Sequence, residues 1–204
     1  MGTREPVQVA PFLDPRIGQW CFDAGPLIRA HEADPFLLQL MNGFKGRAHL
    51  LNEVVQEVQG AAGATLRIGG WCTHHELALT DDLSRYAELR SRWGSEPGRD
   101  RGEAATIVAA RRNSWRMVMD ERVGFRAAVD EGVAVTRTSN LLVSTVRAGW
   151  WKADEAWRAY ANLLAFYERA GGYPKLGPQL WNGREEFLRL CAIASFDEHT
   201  TGSA

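Results

Sequence analysis

The chain has 204 residues, 45% of them hydrophobic and 24% charged, with a formal charge of −1. That suffices for one α/β domain with a well-buried core and not for two, and it excludes a strongly basic protein that coats nucleic acid, though not a local basic patch. The three cysteines, Cys21, Cys72 and Cys191, lie far apart without CxxC spacing, so neither a disulfide framework nor a zinc site is suggested.

The first residues, Met1 to Glu5, are polar and lack the apolar run of a signal peptide, and no apolar stretch approaches a bilayer span. A cytoplasmic location without membrane contact is therefore expected. Residues 1–15 contain prolines and no clear period, and read as a tail. Ile17 to Phe22 is a short apolar run ending at Asp23, as expected of a buried first strand. Pro26 suits the first turn of a helix. A second helix begins near Pro35 and runs through Phe36–Met41 to Gly43. Ala48–Leu51 is a weak strand, followed by a helix over Asn52–Val58, capped by Asn52 and stopped by Gly60.

Gly60 to Gly70 is glycine-rich and carries no clear assignment. Glu76–Leu79 reads as a short strand, with a helix from Thr80 or Asp81 to about Trp93 and a loop over Gly94–Gly98. Gly102 to Arg112 is an alanine-rich helix whose Ala104, Ile107, Val108 and Ala110 form a core-facing stripe. Then come a strand over Trp115–Met119, a helix over Arg122–Glu131 ended by Gly132, and a strand over Val133–Thr136. Thr138, Ser139 and Asn140 precede a helix to Gly149. A longer amphipathic helix covers Asp154–Ala170, and a last helical segment lies near Arg184–Ala194.

This alternation predicts a mostly parallel sheet with helices on both faces. Right-handed crossovers bring all strand C-terminal ends to one edge, where ligands gather in such sheets. The expected organisation is a tail over 1–15, one domain over 16–171, and a C-terminal extension over 172–204.

Five acidic residues fall at the strand–helix switch points: Asp23, Glu53, Glu103, Asp120 and Glu121. Each has a structural alternative. Asp23 can form a turn by bonding to nearby amides, and Glu53 and Glu103 sit in first helical turns, where the dipole favours a carboxylate. The doublet Asp120–Glu121 is costly unless cations are near, which Arg122 and Arg126 or a metal can supply. If these carboxylates converge, their hard oxygens favour Mg²⁺ or Mn²⁺. Glu57 reads as a solvated surface residue, and Asp81, Asp82, Asp130 and Glu131 as helix-terminal or surface charges.

From Arg90 to Arg147 there are 11 arginines, no lysines and 7 acids, so 11 − 7 leaves an excess of +4 that can serve phosphate contacts. Thr138 and Asn140, after the last strand, either contact a substrate or cap the helix. Trp150, Trp151, Trp157, Tyr160 and Phe166 enrich the C-terminal helices in aromatics, which either fill the core or mark an interface.

Four segments carry a resemblance. They are Phe22-Asp23-Ala24-Gly25-Pro26-Leu27-Ile28, Asn52-Glu53-Val54-Val55-Gln56-Glu57-Val58, and the run Arg101 to Arg111 containing Gly102-Glu103-Ala104-Ala105. The fourth is Met119-Asp120-Glu121-Arg122 with Arg126-Ala127-Ala128 and Gly132-Val133-Ala134-Val135-Thr136. In order and spacing, from about residue 17 to 165, the chain resembles the PIN-domain family of metal-dependent nucleases, most closely the small bacterial proteins of toxin–antitoxin type.

The resemblance implies a three-layer α/β/α sandwich and an endoribonuclease that cuts single-stranded RNA with Mg²⁺ or Mn²⁺. Asp23, Glu53, Glu103 and Asp120 match the family's acidic cluster, and Glu121 shares or takes the last place. Arg122, Arg126, Thr138 and Asn140 are the expected substrate contacts. A homodimer and an antitoxin covering the acidic groove are implied partners, with a standalone RNA-processing nuclease or a non-catalytic PIN-like binding module as alternatives. A haloacid-dehalogenase-type phosphatase would need a second aspartate where Gly25 stands. A receiver domain would need a lysine where Arg137 stands.

Overall fold

Trp20, Cys21 and Phe22 form the first strand, β1 (Trp20–Phe22), and none of the three is exposed. A strand buried on both faces belongs at the centre of a parallel sheet. That is its place in the computed structural model, which describes residues 10–58, 60–66, 70–93, 100–169 and 183–197. The sheet has five parallel strands in the order β3-β2-β1-β4-β5. The others are β2 (Ala48–Leu51), β3 (Cys72–His75), β4 (Arg116–Val118) and β5 (Val135–Thr136). Trp20 pairs with Ala48 on one side and Arg116 on the other.

Helices cover both faces, making a three-layer α/β/α sandwich. Across one face lies α6 (Arg101–Asn113), packed on β1, β2 and β4, with α5 (Thr80–Trp93) and α7 (Arg122–Asp130) beside it. Its residues 104 to 110 are all buried, so the alanine-rich sequence serves a helix that must lie close to the sheet. Against the other face pack α1 (Ala24–Glu32), α2 (Phe36–Gly43), α8 (Thr138–Arg147), α9 (Ala153–Arg169) and α10 (Arg184–Cys191). Two short helices, α3 (Asn52–Glu57) and α4 (Gly60–Leu66), follow β2.

The sheet runs outward from β1 through β2 to β3, then returns across the molecule to β4 and β5. The direction therefore switches between β1 and β4, and the region beyond their C-terminal ends is where parallel sheets of this kind form a binding crevice. Asp23 follows β1 directly and Asp120 lies two residues past β4.

Several expectations need correction. The strand expected at Glu76–Leu79 lies earlier, at Cys72–His75, where polar Thr73 and His74 are exposed on an edge strand. Pairing with β2 overrides the more apolar stretch that follows. Asn52 does not cap α3: it is the first helical residue, and its side-chain amide donates to Glu76 at 2.5 Å. Of the supposed tail, residues 10–14 are irregular but packed in, since Ala10 and Leu13 are buried and the Pro11 carbonyl accepts from Thr136 Oγ1 at 2.6 Å. The expected loop at Gly94–Gly98 lies outside the described residues. Asp82 and Glu131 are helix-terminal, as expected, and each is also paired: Arg112 reaches Asp82 at 2.8 Å, and Glu131 is held by Arg85 and by Arg111 at 2.5 Å. Trp151 and Tyr160 are buried, and Trp150 and Trp157 pack half-buried onto the core, so packing accounts for them. The side chain of Phe166 lies outside what the structure describes. Among the described residues, no helix is long and apolar enough to cross a membrane.

Candidate functional site

Asp23 is delivered to the crevice by the end of β1, and its amide still bonds to the Val118 carbonyl at 3.1 Å, so its backbone is fixed by the sheet. Its side chain is 4% exposed, makes no hydrogen bond capping α1, and leaves Oδ1 buried without a partner. Burial raises its pKa from 3.8 to about 7, reinforced by the charges of Glu57 and Asp120 and partly offset by the nearby amides of Ala24 and Gly25. A buried carboxylate oxygen lacking any donor is costly unless something cationic meets it.

Glu103, in the first turn of α6, faces the same crevice. Burial raises its pKa from 4.5 to about 8, followed by the charges of Asp23, Asp100, Glu121 and Glu57. Room for Glu103 comes from Gly124 in α7, where a Cβ would lie 3.3 Å from Glu103 Oε2.

Glu57 is exposed, as expected, but it also belongs to this group: its Oε1 accepts the Gly102 amide at 2.8 Å, and partial burial is the main cause of its raised pKa. Glu53 joins through Glu57: its Oε2 is buried without a partner, and its charge helps raise the pKa of Glu57. Asp100, before α6, adds its charge to both Glu57 and Glu103. The signal for Glu57 was present, since a spacing of four from Glu53 puts both on one helix face.

Asp120 is differently placed. Its Oδ1 accepts the Thr138 amide at 2.8 Å, and its Oδ2 accepts the Thr138 hydroxyl at 2.6 Å and Arg29 Nη1 at 2.5 Å. Three of its roughly four acceptor positions are thus taken. Its carbonyl accepts Arg137 Nη1 at 2.5 Å, and that guanidinium lies over the Phe125 ring at 4.4 Å. Arg29 was not among the expected site residues. Glu121 stands half-buried at the start of α7, its charge acting on Glu103.

The expected substrate contacts divide. Arg122 and Arg126 are exposed on α7 and, with Arg92, Trp93 and Val123, line an open groove of about 420 Å³ between α5 and α7. The groove lies beside the acidic crevice; none of Asp23, Glu103 or Asp120 lines it. Thr138 and Asn140 are corrected to structural roles. Thr138 is buried and spends both donors on Asp120, while Asn140 is fully buried and donates to the Ala10 carbonyl at 2.7 Å.

Among the described residues, no three His, Cys, Asp or Glu side chains form a ready-made metal-binding group. The acids share an electrostatic neighbourhood without a closed coordination shell. Their chemistry still fits Mg²⁺ or Mn²⁺: all donors are oxygens, and Mg²⁺ needs only one or two carboxylates when waters and substrate phosphates complete its octahedron. The unpartnered Asp23 Oδ1 supplies one such donor.

Fold and site together define an α/β protein with a charged acidic crevice at the switch point of a parallel sheet. No protein-family model matches the chain, and no curated protein matches it in sequence.

Proposed function

We propose that the chain is a PIN-type metal-dependent endoribonuclease that hydrolyses phosphodiester bonds of single-stranded RNA with Mg²⁺ or Mn²⁺. The observation that carries this reading is Asp23: a buried carboxylate at the switch point, one oxygen unpartnered, with the charges of Glu57 and Asp120 pressing on it. Such a group is favourable only when a cation or a proton neutralises it.

When bound, the ion supplies Lewis-acid polarisation of the scissile phosphate and acidifies the attacking water. Asp23 and Glu103 are the residues that would hold it. Glu57, fastened to the Gly102 amide, ties α3 to the first turn of α6, the turn that carries Glu103. Arg122 and Arg126, beside the crevice, provide phosphate contacts for a strand laid along α7. In its narrower form, drawn from the resemblance, the protein is the toxin of a bacterial toxin–antitoxin pair, a homodimer whose acidic groove an antitoxin covers. Growth arrest on induction, relieved by the product of a short neighbouring reading frame, tests that form. Growth without arrest favours a standalone RNA-processing role.

The Arg29–Asp120 pair favours a second reading, a PIN-like module that binds RNA or protein without cutting it. In that reading the guanidinium permanently takes the place of a cation in the crevice.

One experiment separates the two. Purified protein is incubated with a single-stranded RNA and Mg²⁺ or Mn²⁺, with and without chelator. Cleavage that stops with chelator, and that is lost in Asp23→Asn while the circular dichroism spectrum is kept, supports the nuclease. No cleavage with either ion, or full activity in Asp23→Asn, overturns it.

A further inference from the structure

Arg29 projects from α1 into the acidic crevice, with 18% of its side chain exposed. Its Nη1 lies 2.5 Å from Asp120 Oδ2. A Cβ added at Gly25 would sit 2.9 Å from that same Nη1 and 3.6 Å from Asp23 Oδ2, so the guanidinium also stands near Asp23, with only the glycine between. The crevice thus contains a cation of its own, paired with Asp120.

Counting charges around it points to the role of that cation. Asp120 is neutralised by Arg29 and further satisfied by the two donors of Thr138. Glu57 has the Gly102 amide and the charge of Arg101. Asp23 and Glu103 are left as the two carboxylates of the group for which no cationic partner is seen among the described contacts, and two carboxylates suffice for one divalent ion. Asp23 Oδ1, buried and unpartnered, is the second observation that points to a ligand there.

Resting on the metal-dependent reading, we propose that Arg29 is a built-in cation that occupies Asp120, so that the crevice binds a single divalent ion on Asp23 and Glu103. Arg29 is a positioning residue in this scheme, and Asp120 holds Arg29 in place of ligating metal. The arginine limits the number of ions by occupying the carboxylate that a second ion would need.

The test is Mn²⁺ binding followed by calorimetry and by loss of the free-ion electron paramagnetic resonance signal, with no RNA present. Three full-length proteins are compared: wild type, Arg29→Met, and the double variant Arg29→Met/Asp120→Asn, which removes the ion pair as a unit and keeps the measurement possible if the single variant does not fold. One ion is expected in wild type. Arg29→Met frees Asp120 and takes up two ions, or one at least about tenfold tighter, a change of about 1.4 kcal/mol. The double variant returns to one ion with wild-type affinity.

Two ions in wild type overturn the proposal, as does an unchanged stoichiometry and affinity in Arg29→Met. Loss of the wild-type ion in the double variant also overturns it, because Asp120 would then be a direct ligand. Each of these leaves the nuclease reading intact, since the wild type still binds Mn²⁺. A wild type that binds no Mn²⁺ overturns both.

Discussion

Thr138 gives Asp120 both of its donors, the backbone amide to Oδ1 at 2.8 Å and the hydroxyl to Oδ2 at 2.6 Å. The first residue of α8 therefore clamps the carboxylate that follows β4, and the positive end of the helix adds to the hold. An acid fixed in this way is a scaffold for Arg29 before it is anything else.

Replacing Thr138 by Val keeps the shape and the amide and removes the hydroxyl from a buried carboxylate. The expected cost is about 1–3 kcal/mol, the range for leaving a buried acceptor short of a partner. Chemical denaturation should report a lower midpoint with an unchanged slope, and Thr138→Ser should recover most of it. A midpoint unmoved in Thr138→Val would show that the hydroxyl contributes nothing.

The buried acids also set how stability follows pH. Asp23 rises from 3.8 to about 7 and Glu103 from 4.5 to about 8, so the folded chain keeps protons that the unfolded chain releases across that interval. The destabilisation is absent below the ordinary carboxylate pKa, grows as pH rises, and is complete above about pH 8, so stability falls with rising pH. His49 and His75 act in the opposite sense. Their rings meet at 2.9 Å, His49 stacks on Trp115, and burial lowers both pKa values, that of His49 from 6.5 to about 4. Their contribution is settled above pH 6.5. From there to about pH 8 the raised carboxylates set the trend. Melting temperature in chelator should drop over that range, and Glu103→Gln should flatten the drop. Added Mn²⁺ should restore stability more at pH 8 than at pH 6.5. A flat profile in the wild type would contradict the placement of Asp23 and Glu103.

Much of this site was legible in the residues because its acids coincide with element boundaries. Asp23 ends an apolar run, Glu103 opens an alanine-rich helix, and Asp120 follows β4, so the pattern of elements put each of them at a boundary. What periodicity could not reveal was pairing across the crevice. Arg29 reads as one polar residue in an amphipathic helix, and nothing local says that it reaches Asp120, 91 positions away. Thr138 and Asn140 looked like cap or ligand residues because caps and ligands use the same side chains. Only their burial separates them from both roles. The edge strand β3 escaped for a related reason: its Cys-Thr-His-His sequence has little strand character, and the partner strand β2 supplies the reason to extend.

The groove along α7 makes a separate prediction about RNA. Arg122 and Arg126 line it with Arg92, and Trp93 offers a face on which a base can stack. Binding of a labelled single-stranded oligonucleotide in chelator, followed by anisotropy at several salt concentrations, isolates contact from cleavage. Each phosphate contact contributes about 0.7 to the slope of log affinity against log salt for a single strand, so the pair Arg122→Ala/Arg126→Ala should lower it by about 1.4. Trp93→Ala should weaken binding and leave the slope alone. An unchanged slope in the double variant would remove these arginines from the RNA path.

Gly124 couples the packing of α7 to the crevice. A Cβ there would lie 2.4 Å from the sulfur of the fully buried Met119 and 3.3 Å from Glu103 Oε2. Gly124→Ala should gain up to about 1 kcal/mol from helix propensity and lose about 1–3 kcal/mol from overpacking, so the net effect is destabilising or close to neutral. The more telling measurement is coupling. Met119→Val shortens the obstructing side chain, so combining it with Gly124→Ala should cost less than the two single changes added together. The alanine should also weaken Mn²⁺ binding by displacing Glu103, and Met119→Val should not rescue that loss, because the second contact at Gly124 is to the carboxylate itself. Full rescue of both stability and ion binding by Met119→Val would mean that Glu103 is placed by the core and owes nothing to the glycine.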